Sequence, residues 1–345
     1  MPDIPDEKFR IVGIGENAGE ILARKRISYW QDAWRRFREN KIAVVAAVIL
    51  VVMIFFIIFG PMISGYEFEQ IDNTAINQGP SMKHWFGTDN LGRDLFARVW
   101  QAGRVSLIIG LVGAFVASIV GSIYGGIAAY FGGVVDDVMM RIVEILLSVP
   151  YLLFVILISV ITDSKSLGTM LVALTLTGWC GIARIVRGQM LQLKSQEFVL
   201  AANALGVSPI RIILKHMIPN TMSLIIVAIT FDIPGYIFSE AFLSYVGLGI
   251  QAPQTSWGAL CAAAQQNFMF YPYQLLFPGI MIALTMLSFT LLGDGLRDAL
   301  DPKQRKYREA RQWKIRKKSW KWRISMCLFI PMQGKSRRYV ELILS

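Results

Sequence analysis

The chain has 345 residues, of which 54% are hydrophobic and only 17% are charged. A soluble protein of this length has about 25% charged residues, so the composition predicts apolar runs long enough to cross a membrane. Three cysteines without paired spacing and two isolated histidines argue against a disulfide framework and a metal centre. The net charge of +11 can indicate nucleic-acid binding, and its placement along the chain decides that question.

The N-terminal residues 1–27 are polar and begin with the acidic MPDIPDE. They lack the basic-then-apolar order of a cleavable signal, so we expect the first apolar run to remain as an anchor. After Ser28, apolar side chains recur at helical spacing and basic ones take the other face: Trp30, Ala33, Trp34 and Phe37 against Arg35, Arg36, Arg38 and Lys41. This pattern predicts an amphipathic helix in the membrane surface.

Six apolar segments are predicted to span the membrane. They are Ile42–Phe59 (ended by Gly60-Pro61), one span within Val105–Val135, Ile145–Thr162 despite Pro150, Ser166–Ala183, about Thr221–Val246, and Leu275–Gly293. Small residues in the second span, among them Gly110, Gly121 and Gly125, predict close helix approach. A second amphipathic helix, Leu91 to Trp100, is expected at the far surface, capped by Thr88, Asp89 or Asn90 and carrying an Asp94–Arg98 pair.

The basic residues give the orientation. Thirty of the 35 Lys and Arg residues fall on one side of the six predicted spans, which predicts cytoplasmic N- and C-termini in the cell membrane. The positive charge therefore reflects topology rather than nucleic-acid binding. We predict an all-α integral membrane protein in four parts: 1–27, 28–104, a core 105–293 with a cytoplasmic loop 187–220, and a basic tail 294–345.

No constellation of catalytic residues is found. Gly334-Lys335-Ser336 resembles the end of a P-loop, but Phe329 stands where the first glycine belongs and no strand precedes it. We therefore expect this chain to bind no ATP and no other cofactor. Energy for transport must come from an ion gradient or from a partner.

An ion-coupled carrier acting alone is the first alternative, since it needs ionisable groups inside the membrane. Asp232 lies about 17 Å into the fifth predicted span, and Glu240 lies about 12 Å further out. Both acids can line a translocation path, or they can be satisfied by neighbouring helices or a wet cavity. The sequence leaves both interpretations open.

A partner-driven transporter is the second alternative. Residues 197–220, EFVLAANALGVSPIRIILKHMIPN, predict a cytoplasmic helix–turn–helix that can transmit a push to two spans. Its first helix ends before Gly206, and Ser208-Pro209 starts the second. One face of the second helix is predicted to carry Ile210, Ile213, Leu214 and Met217.

Several motifs resemble the C-type permease subunit of bacterial oligopeptide and dipeptide ABC importers, the oligopeptide member of Gram-positive bacteria above all. They are the 201–219 pattern (Ala201-Ala202, Gly206, His216, Ile218-Pro219), HWFGTDNLGRDLFARVW (84–100), GWCGIARIVRGQ (178–189), KHMIPN (215–220), EAFLSYVGLG (240–249) and GDGLRDALDPK (293–303). The resemblance covers roughly residues 28–303.

The resemblance implies the ABC importer type I permease fold and alternating access without chemistry in this chain. It also implies a heterodimer with a B-type permease, two cytoplasmic ATPase subunits that use ATP and Mg, and an extracellular peptide-binding protein. The residues it assigns to ATPase coupling are Glu197, Ala201, Ala202, Gly206 and Pro219.

Two features depart from the family pattern. Leu200 stands directly before Ala201-Ala202, where the pattern has a glutamate, and whether Glu197 substitutes for it is open. The tail from about Lys306 has no place in the pattern. Its Trp313, Trp320 and Trp322 among basic residues suit membrane lipids, and an extension without function is the other interpretation.

Overall fold

A computed structural model of the chain describes residues 28–301. The predicted polar segment 1–27, the tail after about Lys306 and Cys327 lie outside the described residues. Eleven α-helices form within 28–301: α1 (Tyr29–Glu39), α2 (Lys41–Ser64), α3 (Leu95–Phe131), α4 (Gly133–Ser148), α5 (Tyr151–Thr162), α6 (Leu167–Lys194), α7 (Glu197–Ala204), α8 (Pro209–Ile212), α9 (Ile218–Tyr245), α10 (Trp257–Gln265) and α11 (Tyr273–Leu300). A π-helical turn, Ile213–Met217, joins α8 to α9.

Long apolar helices dominate the described chain. Five are long and apolar enough to cross a membrane: α2, α3, α6, α11 and the continuous run Pro209–Tyr245. A sixth is reached if α4 and α5 count as one broken span. The predicted third span is therefore not one helix, because Pro150 lacks an N–H and disfavours helical backbone at the residue before it. The chain is a multi-pass membrane protein.

Proline does not end the first span. The sequence predicts a stop at Gly60-Pro61, whereas α2 continues through Pro61 to Ser64 and ends at Gly65, whose φ is +72°. Pro61 cannot donate to the carbonyl of Ile57 four residues earlier. Arg104 of α3 replaces that donor, since its Nε donates to the Ile57 carbonyl at 2.9 Å.

The segment predicted as a separate second amphipathic helix is the first part of α3. Asp94 caps α3, because its Oδ2 accepts from the Ala97 N–H at 2.8 Å. Two of the three predicted capping residues are engaged elsewhere: the Thr88 hydroxyl donates to the Ala75 carbonyl, and Asp89 accepts from Arg93. The predicted Asp94–Arg98 pair does not form.

Contacts divide the chain into two compact units. The first contains the described residues up to 116, residues 147–178 and residues 229–299. Near its α1 helix, Phe37, Ala43 and Ala299 are buried together. Elsewhere in this unit Trp257 is fully buried, and its Nε1 donates to the Val99 carbonyl at 2.8 Å. The division into four parts predicted from the sequence stays a prediction.

The second unit contains residues 117–146, residues 179–228 and the described residues from 300. In it α3 and α6 pack backbone to backbone. A Cβ added to Gly121 would lie 2.6 Å from the Trp179 carbonyl oxygen, and one added to Gly125 would meet the Ala183 carbonyl. The predicted use of small residues for close helix approach is confirmed here.

Candidate functional site

The segment 197–220 begins with α7, which ends as the sequence predicts. Gly206 adopts a left-handed conformation with φ +72°. Its N–H donates to the Asn203 carbonyl at 3.0 Å, and the next N–H, of Val207, donates to the Ala202 carbonyl at 3.1 Å. This pair of hydrogen bonds is a Schellman motif, in which the left-handed position favours glycine.

The second half of the segment differs from the expected short helix. Pro209 occupies the first turn of α8, as predicted, but α8 passes through the π-helical turn into α9 without a break. The four residues predicted to share a face are split, because the 3.6-residue period of an α-helix does not hold across a π-helical turn. Ile213 and Met217 are buried, whereas Ile210 and Leu214 are exposed.

One side of the segment is packed into the second unit. Its buried side chains are Val199, Ala202, Ile212, Ile213 and Met217. Ile213 approaches Gly126 of α3, where a Cβ would lie 3.1 Å from its Cγ2. The Tyr130 hydroxyl at the end of α3 donates to Asn203 Oδ1 of α7 at 2.7 Å. The segment is therefore in contact with α3 near Gly126 and at Tyr130, and it is continuous with α9.

The other side of the segment exposes apolar side chains. Leu205 is 82% exposed, Ile210 69%, Leu200 55%, Leu214 48% and Phe198 41%, and these five are called the α7–α8 surface below. Most of the residues that the resemblance assigns to coupling are also exposed: Glu197, Ala201, Gly206 and Pro219, while Ala202 is buried. Their role in coupling stays a prediction.

A bidentate ion pair joins α4 and α6 within the second unit. Arg187 of α6 donates from Nε and Nη2 to the two carboxylate oxygens of Asp136 in the first turn of α4, each at 2.5 Å. The Asp136 side chain is 10% exposed. Reasoning from the sequence did not find this pair or the Tyr130–Asn203 bond, since the partners are far apart in the chain and no local pattern links them.

The two acids proposed for a translocation path lie in different surroundings. Glu240 is fully buried and accepts from three hydroxyls, Ser256 at 2.5 Å, Ser244 at 2.7 Å and Ser106 at 3.3 Å. Asp232 is partly buried and has no hydrogen bond or ion pair to any residue in the described range. Lining of a path by either acid stays a prediction.

Further hydrogen bonds tie the Glu240 cluster to α10. The Ser106 hydroxyl also accepts from the backbone N–H of Trp257 at 3.1 Å, and the Ser256 hydroxyl caps α10 through the Ala259 N–H at 3.0 Å. The cluster joins α3, α9 and α10 within the first unit. Metal binding finds no support in the part of the chain that the structure describes, where no three His, Cys, Asp or Glu side chains are grouped suitably.

Comparison with known proteins gives the class. The family model described as "Binding-protein-dependent transport system inner membrane component" matches residues 117–306, more than half of the chain. A model of the N-terminal TM domain of oligopeptide transport permease C matches residues 28–80. The chain belongs to this family of binding-protein-dependent transport permeases, and the predicted all-α membrane fold of the ABC importer type I permease is confirmed.

Individual relatives are similar over most of the chain. The oligopeptide transport system permease protein OppC of Bacillus subtilis is 46% identical over 306 residues, which cover 89% of this chain and all of that protein. The dipeptide transport system permease protein DppC of the same organism is 47% identical over 304 residues, 88% of this chain and 95% of DppC. OppC of Escherichia coli K12 is 44% identical over 292 residues, 84% and 96% of the two chains. The solved MetNI methionine ABC transporter has a TM-score of 0.47 and 20% identity, covering 60% of this chain and 96% of its own.

Proposed function

We propose that this chain is the permease subunit through which an ATP-driven importer moves oligopeptides across the cytoplasmic membrane. Family membership supports transport that depends on a binding protein, and two of the relatives named above carry oligopeptide transport in their names. The proposed partners are a homologous B-type permease, two cytoplasmic ATPase subunits that use ATP and Mg, and an extracellular peptide-binding protein. Both termini are proposed to lie in the cytoplasm.

The α7–α8 surface is the observation that carries the coupling part of the proposal. Five large apolar side chains are exposed on a segment whose opposite side is packed against α3. Side chains of this kind, on short rigid helices, suit a hydrophobic groove in a partner protein. Leu200 adds to this surface, so the contact with the ATPase rests on shape and apolar area more than on charge.

The geometry supports a mechanism of alternating access. Closure of the ATPase pair on ATP would draw the α7–α8 surface toward its counterpart in the partner permease. The segment transmits this movement by two routes, the continuous helix Pro209–Tyr245 and the Tyr130–Asn203 bond to α3. Hydrolysis would then release the ATPases and return the path to its inward-open state.

An ion-coupled carrier acting alone is the less supported alternative. It requires membrane-embedded ionisable groups, and Asp232 is the candidate because Glu240 is enclosed by hydroxyls. The family to which the chain belongs is described as dependent on a binding protein, which a lone carrier does not need.

Reconstitution separates these functions. The chain is placed in proteoliposomes with its B-type permease and ATPases, the peptide-binding protein is added, and uptake of a labelled oligopeptide is measured. We expect uptake with ATP and Mg and none when only a proton or sodium gradient is imposed. Uptake that follows the gradient and ignores ATP would contradict the proposal.

A further inference from the structure

The α1 helix is held against the first unit by its apolar side. Ala33 and Phe37 are buried, and Phe37 packs with Ala43 of α2 and Ala299 of α11. Only Asn40 separates α1 from α2, and its side-chain oxygen caps α2 by accepting from the Ala43 N–H at 3.3 Å. The position of α1 is therefore fixed relative to one end of a membrane-spanning helix.

That end of α2 lies at the boundary of the hydrocarbon layer. Lys41, its first residue, is its only charged residue, and the apolar side chains that follow are exposed, Ile42 by 63% and Val45 by 58%. Exposed aliphatic side chains on a spanning helix suit acyl chains, whereas a lysine at the helix end reaches the polar headgroups. Because a single residue joins the two helices, α1 lies at the level of the headgroups.

One face of α1 carries exposed tryptophans. Trp30 and Trp34 are 54% and 56% exposed, and Arg38 continues the same face at a spacing of four residues. Tryptophan is enriched where a membrane meets water, because its ring is apolar and its N–H is polar. Phospholipid is therefore the occupant that this face favours.

Two of the three arginines of α1 are neutralised within the helix. Arg36 Nη2 lies 2.5 Å from Asp32 Oδ2. Arg35 lies 3.7 Å from Asp32 and 3.9 Å from Glu39. The two acids of α1 therefore balance these two arginines.

Arg38 keeps an unbalanced charge. It forms no ion pair with any residue from 28 to 301, and its guanidinium lies over the Trp34 ring, 4.9 Å from the ring centroid. Stacking uses the flat face of the guanidinium and leaves the N–H donors at its edge available for phosphate oxygens. Lys41, three residues further on, is also exposed and has no acidic partner in the same range.

We propose that α1 binds the headgroup of an anionic phospholipid. The phosphate oxygens contact the Arg38 guanidinium and the Lys41 ammonium group, and the lipid next to them lies against the rings of Trp30 and Trp34. A basic residue close to an anionic membrane surface attracts it by an amount that corresponds to roughly fivefold in affinity. A zwitterionic lipid lacks this attraction because its own cation opposes it. Such binding requires neither a cargo nor an ATPase, so it can be measured without transport.

The test is photo-cross-linking of the full-length chain, with the subunits that co-purify with it, in nanodiscs of equal phosphatidylglycerol and phosphatidylcholine. Trp30→benzoylphenylalanine places the cross-linker on the exposed face, and mass spectrometry of the modified peptide identifies the lipid. We expect phosphatidylglycerol to be captured roughly 10–25 times as often as phosphatidylcholine. Val52→benzoylphenylalanine, at a position 48% exposed within α2, should capture both lipids equally, because it meets acyl chains.

Glutamine variants in the Trp30→benzoylphenylalanine background assign the site. Arg38→Gln and Lys41→Gln should each lower the capture ratio roughly fivefold, and the double variant should bring it close to parity. Arg35→Gln removes the same charge from the same helix, but from a residue that Asp32 and Glu39 balance, and should change the ratio by less than about twofold. Equal decreases in the Arg35 and Arg38 variants would show a response to net charge alone and would overturn the proposal. Equal capture of both lipids by the parent, or capture of a protein subunit alone, would also overturn it.

Discussion

Arg187 holds Asp136 with both arms of its guanidinium across 51 positions of sequence, and so fixes α6 against the start of α4. Asp136→Asn should lower the free energy of unfolding by roughly 1–3 kcal/mol, because a partly buried arginine loses its charged acceptor. Chemical or thermal unfolding of the purified chain measures this.

An exposed ion pair between two residues of α4 serves as the control for the Asp136→Asn variant. Arg141 and Glu144 form a contact of 2.8 Å with side chains 75% and 50% exposed, so Arg141→Gln should change stability by less than about 1 kcal/mol. Equal decreases in the free energy of unfolding for the two variants would show that the Asp136–Arg187 pair stabilises the fold no more than an exposed ion pair does.

The α7–α8 surface can be tested by a matched pair of leucine variants. Leu205→Glu places a charge on the most exposed apolar side chain of the segment and should abolish peptide-stimulated ATP hydrolysis in the assembled transporter. Leu200→Glu makes the same change at the position where the family pattern has a glutamate, and activity should be retained. Folding should survive in both, since both side chains are exposed. If the Leu205 variant hydrolyses ATP and imports peptide normally, this surface is not the contact.

Substitutions of Gly206 test the role of its backbone conformation alone. A Cβ there would meet no atom within 4 Å, so only its φ of +72° restricts the residue. Gly206→Val should weaken the turn by about 1–3 kcal/mol and impair coupling, whereas Gly206→Asn should behave nearly like the parent, because asparagine tolerates this conformation. The measurement is ATP hydrolysis per peptide imported. Equal values for valine and asparagine would exclude a role for the left-handed turn.

Glu240 is expected to act through its hydroxyl partners. Glu240→Leu removes the acceptor of three serine hydroxyls and should lower the free energy of unfolding, by roughly 1–3 kcal/mol for each buried group left unpaired. Glu240→Gln keeps one acceptor oxygen and should lose less. Ser239→Ala, next to it in α9, serves as the control for substitution in this helix. A leucine variant as stable as the parent would mean that the cluster does not hold α10 in place.

Local patterns predicted much of the chain and failed where distant residues intervene. The lengths of the apolar segments predicted most of the membrane-spanning helices, and Ala204-Leu205-Gly206 predicted the end of α7. Both features depend on residues close together in the chain. Pro61 failed to stop α2 because Arg104, 47 positions from Ile57, bonds the carbonyl that the proline leaves unpaired. The start of α3 was misplaced because Thr88 and Asp89 bond to other residues of the preceding loop, and Asp94 caps the helix instead.

The candidate site shows the same division. The family resemblance assigned Glu197, Ala201, Ala202, Gly206 and Pro219 to coupling. All but Ala202 are exposed, and their role in coupling stays a prediction. The sequence could not pair Tyr130 with Asn203 or Arg187 with Asp136, since these contacts follow from tertiary packing. The predicted face through Ile210 and Met217 failed because a 3.6-residue period was applied across a π-helical turn.

That π-helical turn also bears on how sequences of this kind should be aligned. A π-turn accommodates one extra residue while the helices before and after it keep their relative phase. Removing a single residue within Ile213–Met217 would therefore convert the turn to ordinary α-helix and leave the faces of α9 where they are. The same deletion elsewhere in Pro209–Tyr245 would rotate every later side chain by about 100°. A one-residue gap between two such sequences belongs in this turn, whatever the local residue matches suggest.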